Sequence, residues 1–200
     1  MDGSSIPTYM NSKLTSRRLA FLSILTALCL AIQLSPRPPN VEFTSLFTFL
    51  VGALEGAFFG AFFGAFVMFV NGFFSPYGFA GLNLPFQMVG MAIVGLIGSI
   101  YIRYLPKNSI SKSLYFEVAI LGALSALIFD LITNFGVGVS FILSGMKPEI
   151  AIISALASGS FFSLIHIVSN AAVLGLAFLP LMNSAKRLLE GDGGWLRKEY

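Results

Sequence analysis

Long stretches without a charge, cut by short clusters of basic or turn-forming residues, organise this chain. The uncharged runs lie between Arg18 and Arg37, between Glu42 and Glu55, from Gly56 to Ile102, and from Ile150 to Ala185; a further run from Val118 to Met146 is broken only by Asp130. An apolar run of about 20 residues is long enough to cross the hydrocarbon of a bilayer as a helix. The third run is too long for one crossing. It contains Ser75-Pro76-Tyr77-Gly78-Phe79-Ala80-Gly81-Leu82-Asn83-Leu84-Pro85, a stretch dense in turn residues. Splitting it there predicts six helical segments, at about 18–35, 43–55, 57–74, 84–103, 114–136 and 155–182. The second is short for a full span.

Composition turns this pattern into a fold class. Of the 200 residues, 56% are hydrophobic and 10% charged, against about 25% charged in an average soluble domain. So few charges cannot cover the surface of a soluble globule. Six spans with short loops use up the length, which leaves no room for a separate ATPase domain. The single cysteine, Cys29, excludes an internal disulfide and any CxxC motif. A net charge of +3 is too small to indicate nucleic-acid binding.

The position of the basic residues sets a topology. Lys13, Arg17 and Arg18 precede the first segment; Arg103, Lys107 and Lys112 lie between the fourth and fifth; Lys186, Arg187, Arg197 and Lys198 follow the sixth. Six spans put all of these on one side, 10 of the 12 basic residues, with Arg37 and Lys147 opposite. By the positive-inside rule both ends are cytoplasmic. The sequence thus predicts an all-α integral membrane protein, a compact bundle of six transmembrane helices in the cytoplasmic membrane. A polar tail covers 1–16, the membrane domain 17–183 and a basic tail 184–200. The first segment lacks a clear A-x-A cleavage site and reads as a retained helix.

Small residues recur at helical spacing in two places. Gly52, Gly56, Gly60 and Gly64 repeat every four residues, as do Ser23, Ala27 and Ala31. Such residues let membrane helices approach closely. The glycines read as internal packing. The first-helix stripe reads equally as internal packing or as a docking face for a second membrane protein.

Polar residues within the apolar runs are the best site candidates, since hydrocarbon penalises them. Asp130 is the one acid deep in a span, with Asn134 one turn later on the same face. Asn71 ends the third segment, and Asn83 and Gln87 begin the fourth, four residues apart. Tyr77 lies in the loop between them. These residues form a candidate outer pocket, neutral-polar and aromatic. His166 and Asn170 add a second i, i+4 pair on the sixth segment, and the basic anchor at Lys186 and Arg187 places His166 in its outer third. A structural interhelical hydrogen bond is the competing reading for each. No enzyme motif is present: there is no G-x-x-x-x-G-K-[ST] and no H-E-x-x-H, and Ser163 and His166 share one helix. No metal or cofactor is implied.

Several of these features together resemble the substrate-binding S-component of an energy-coupling factor transporter, over about residues 17–183. The resemblance rests on six spans with both ends inside and on the Ala27-xxx-Ala31 motif of the first helix. It also rests on a short second helix after Pro39-Asn40-Val41-Glu42-Phe43 and on Leu54-Glu55-Gly56-Ala57-Phe58-Phe59-Gly60 leading into a Gly-rich third helix. Asn170 ahead of Pro180 completes the set. It implies a binding protein, not an enzyme, that captures a vitamin-type micronutrient outside. Its first helix, through Ser23, Ala27 and Ala31, would dock on a membrane coupling subunit driven by two cytoplasmic ATPases. Amide-rich candidates lean slightly toward cobalamin as the substrate. Two other classes fit the same composition: a structural scaffold of the cell envelope, and a stand-alone ion-coupled carrier using Asp130 as its relay.

Overall fold

The computed structural model describes residues 15–104 and 112–190, which are helices joined by short loops, with no strand among them. The tail residues 1–14 and 191–200, with Lys13, Trp195, Arg197 and Lys198, lie outside the described residues, as does Lys107. Six helices follow one another: α1 (Ser16–Leu34), α2 (Thr44–Glu55), α3 (Ala57–Phe74), α4 (Leu84–Tyr104), α5 (Lys112–Leu143) and α6 (Pro148–Glu190). All but α2 are long and apolar enough to cross a membrane. The chain is a multi-pass membrane protein.

Local chemistry accounts for the helix ends. The Thr15 hydroxyl accepts from the Arg18 amide and caps α1. Ser35 and the prolines at 36, 38 and 39 end it. Gly56, at φ 92°, separates α2 from α3 in a conformation that side chains rarely adopt. Pro85 sits in the first turn of α4, where a missing N–H costs nothing. At the end of α5, Gly145 takes φ 95°, its N–H bonds the Ile142 carbonyl, and the Met146 N–H reaches back to the Phe141 carbonyl. This Schellman arrangement closes the helix, and Pro148 opens the next one at once.

That turn corrects the sequence reading of the last two spans. The segments 114–136 and 155–182 understate α5 and α6, which have 32 and 43 residues. Gly138 does not stop α5, and no proline lies between 137 and 143 or between 149 and 154, so both helices continue until Gly145 stops one and Pro148 starts the other. Toward the C-terminus α6 likewise runs past residue 183 to Glu190.

Three of the four ladder glycines, Gly52, Gly60 and Gly64, pack inside the bundle, whereas Gly56 forms the turn between α2 and α3 and packs against nothing. Gly52 and Gly60 face Gly95 of α4 backbone to backbone, and Gly98 faces the Phe49 carbonyl. A methyl at Gly64 would stand 2.5 Å from the Met91 carbonyl oxygen. The absence of side chains lets α2, α3 and α4 touch. Beside this seam Phe49 is fully buried, its ring edge-on to Phe178 at 5.0 Å. Helix α1 sits differently. Leu25, Cys29 and Gln33 face the core, while Ala20, Ser23, Ala27 and Ala31 are exposed together with Ile24 and Leu28. At one end of the bundle, Arg18 and Glu55 tie α1 to α2 at 3.3 Å. The candidate site lies at the other end.

Candidate functional site

A cavity of about 430 Å³ opens where α1 and α3 end, α4 begins, and α5 and α6 pass at mid-length. Two loops border it, 35–43 and 75–80. Of the eight site residues expected from the sequence, Asn71, Tyr77, Asn83, Gln87, Asp130, Asn134 and His166 line it. Asn170 does not. It lies one turn further along α6, fully buried beside Gly122, and its amide N–H donates to the His166 carbonyl at 3.1 Å.

His166 is the centre of the site. Its Nδ1 lies 2.8 Å from Asp130 Oδ1, and its Nε2 lies 3.1 Å from Glu42 Oε1. All three side chains are buried. An ionised carboxylate only accepts hydrogen bonds. The ring therefore either carries a proton on both nitrogens, or one carboxyl holds the shared proton. The three groups form one proton-sharing chain across the loop before α2, α6 and α5. The ring nitrogens point to opposite sides, so the three groups do not converge on a point, and no cluster suited to a metal ion occurs among the described residues.

Glu42 has further partners. Ser45 Oγ donates to its Oε1 at 3.2 Å, and Gln33 Nε2 lies 3.4 Å from its Oε2. Gln33 in turn accepts from Thr44 at 2.8 Å. Burial by itself would push the Glu42 carboxyl up. The bond and charge of His166, the nearby Arg37 charge and the Ser45 bond outweigh it and hold Glu42 below the usual carboxylate range.

The loops are fastened over the cavity. Asn40 sits at φ 58°, a left-handed conformation that Asn tolerates. Its side chain donates to the Phe162 carbonyl, and its own carbonyl accepts from Ser169, both at 2.9 Å. The Tyr77 hydroxyl donates to the Arg37 carbonyl, joining one loop to the other. The Arg37 guanidinium lies 5.7 Å from the Tyr77 ring centre and bonds the Gln33 carbonyl at 2.7 Å. Deeper in, Asn134 donates to Ser163 at 3.3 Å, and the Asn134 amide packs on the bare backbone of Gly159.

Glu42, Gln33 and Arg37 line the cavity but are not among the eight residues expected from the sequence. Glu42 figured only as part of a loop motif and as the edge of an apolar run. A signal was present, since Glu42 is the one acid between Met1's neighbour Asp2 and Glu55. Ser23, Ala27 and Ala31, expected from the sequence to dock on a partner, stand on the exposed face of α1, away from the cavity. No protein-family model matches this sequence, and no curated protein and no solved structure matches the chain.

Proposed function

We propose that the chain is the substrate-binding component of a vitamin-type importer in the cytoplasmic membrane. The cavity end faces outside and both chain ends face the cytoplasm, as the basic residues favour. The protein binds a micronutrient and does no chemistry on it. The bare Ser23, Ala27 and Ala31 face of α1 docks on a membrane coupling subunit, and two cytoplasmic ATPases on that subunit supply the energy.

The observation that carries this reading is the polar cavity itself. An apolar bundle that encloses buried carboxylates, amides and an imidazole at one end, under two fastened loops, has the character of a ligand site. Its volume of about 430 Å³ favours a ligand smaller than cobalamin, since a corrinoid is several times larger. Mass spectrometry of small molecules released from gently purified protein tests the reading. A single co-purifying micronutrient, with a thermal shift on adding it back, is expected. Protein that releases nothing and shifts with no vitamin refutes it.

The Asp130–His166–Glu42 chain favours one second reading, a stand-alone proton-coupled carrier. That reading requires uptake into liposomes holding this chain alone, lost in Asp130→Asn. The importer reading requires none without the partner subunits.

A further inference from the structure

The acceptors around the cavity are unevenly satisfied. Asp130 uses Oδ1 on His166, but its Oδ2 has no protein partner, although the side chain is buried. Asn71 Oδ1, Asn83 Oδ1 and Gln87 Oε1 are buried and equally without one. These four oxygens come from α3, the turn into α4, α4 and α5, all lining the same cavity. Buried acceptors are normally bonded, because an unmade bond forfeits what water would have given. Four on the lining of one cavity therefore mark a surface built to receive donors. At the mouth the polarity reverses: Arg37 Nε is a buried donor without a partner. The remaining lining includes flat or polarisable surfaces, Phe129, Phe162, Phe79 and Met68, against which a ring can lie.

Resting on the importer reading, we infer that this site takes a small planar nitrogen heterocycle with amino or ring N–H donors on one edge and an acceptor on the other. The donor edge meets Asp130 Oδ2 and the amides of Asn71, Asn83 and Gln87. The acceptor edge meets Arg37. His166 acts as a positioning residue, since its bond to Oδ1 fixes the orientation in which Asp130 presents Oδ2. Such a ring belongs equally to a free nucleobase or to a vitamin that contains one, and the recognised chemistry is the same.

The test measures binding of named probes to the full-length purified chain, together with identification of whatever it releases. Adenine and cytosine stand for free bases, pterin and thiamine for ring-bearing vitamins. Lipoate, pantothenate and nicotinate are acids without that ring donor edge. At least one of the first four is expected to bind, and which pair it comes from distinguishes the two sources. Asp130→Asn is expected to weaken that probe about 10-fold or more, the loss of a bond to a charged acceptor. Gln87→Met, which keeps the size and removes the amide, is expected to weaken it several-fold, and covers the case in which Asp130→Asn does not fold. If the released or tightest-binding molecule is one of the acids, or if a folded Asp130→Asn or Gln87→Met binds the probe unchanged, the inference fails while the importer reading stands. If nothing is released and no probe of either group binds, both fail.

Discussion

His166→Leu is the sharpest perturbation of the site. It keeps a side chain of similar bulk but removes the group between Glu42 and Asp130, leaving two buried carboxylates without their shared partner. Removing one member of a buried ion pair costs about 3–5 kcal/mol. For a chain of this size, at about 2–4 °C per kcal/mol, the melting temperature falls by roughly 10 °C near neutral pH. The pH dependence separates an electrostatic loss from a cavity. In the wild type, burial works against the Glu42 charge but His166 outweighs it, and the carboxyl is held below its usual range. Its contribution is therefore present above the unfolded value of about 4.3 and is lost as pH falls through the lower folded value. In His166→Leu, burial is no longer offset by the imidazole, and Glu42 ionises only above the usual range. The penalty is then present above that raised value and relieved as pH falls toward 4.3. Below about pH 5.5 the imidazole is already protonated in the unfolded chain and adds no further pH dependence, so the gap in melting temperature between the two proteins in detergent should narrow from about pH 5.5 to about pH 4.3. A gap that is the same at both values, or less than about 1 kcal/mol in size, refutes the role assigned to His166.

Other perturbations probe other parts. Gly64→Ala places a methyl 2.5 Å from the Met91 carbonyl oxygen. Overpacking costs about 1–3 kcal/mol and helix propensity returns at most about 1, so a fall in thermal stability of about 1–2 kcal/mol is expected, and an unchanged melt contradicts the close seam. Tyr77→Phe removes the bond to the Arg37 carbonyl but keeps the ring; ligand release, followed by washout, should speed up about 2–10-fold. Ala27→Trp adds bulk to an exposed face and touches nothing in the cavity. Uptake by cells should fall to background while binding by the purified protein survives, and undiminished uptake rules out docking through this face.

Much of this molecule is legible from where charges and breakers fall. The runs at 18–35, 43–55, 57–74 and 84–103 match α1 to α4 within two residues at either end, because a proline cluster, Gly56, the turn-rich loop and Arg103 each bound a helix locally. The pair α5 and α6 was less legible. Its boundary is a backbone hydrogen-bond pattern at Gly145, and the apolar residues around it fit a longer helix as well as a shorter one. Polar residues placed inside apolar runs pointed to the cavity, since hydrocarbon tolerates few of them without purpose. Glu42 escaped for a physical reason. Its partner His166 is 124 residues away, and nothing in the local pattern says that a loop at the edge of the hydrocarbon folds inward against α6.

The length of the α5–α6 hairpin bears on the lipid around it. At about 1.5 Å per residue, 32 and 43 residues make rods of roughly 48 and 64 Å, against about 30 Å of hydrocarbon. The tip stays greasy on its outside, with Ile150, Ile153 and Leu156 all exposed. The pair must lean, or lift its tip out of the acyl region, at a cost of fractions of a kcal/mol for each ångström of mismatch. Acyl-chain length thereby becomes a variable acting on this protein. A thicker membrane wets more of the hairpin and lets it stand upright, and a thinner one tilts it. His166 and Asp130 ride on those two helices, and Asn40 bonds loop 35–43 to α6, so the cavity and that loop lean together with the hairpin as the thickness of the membrane changes.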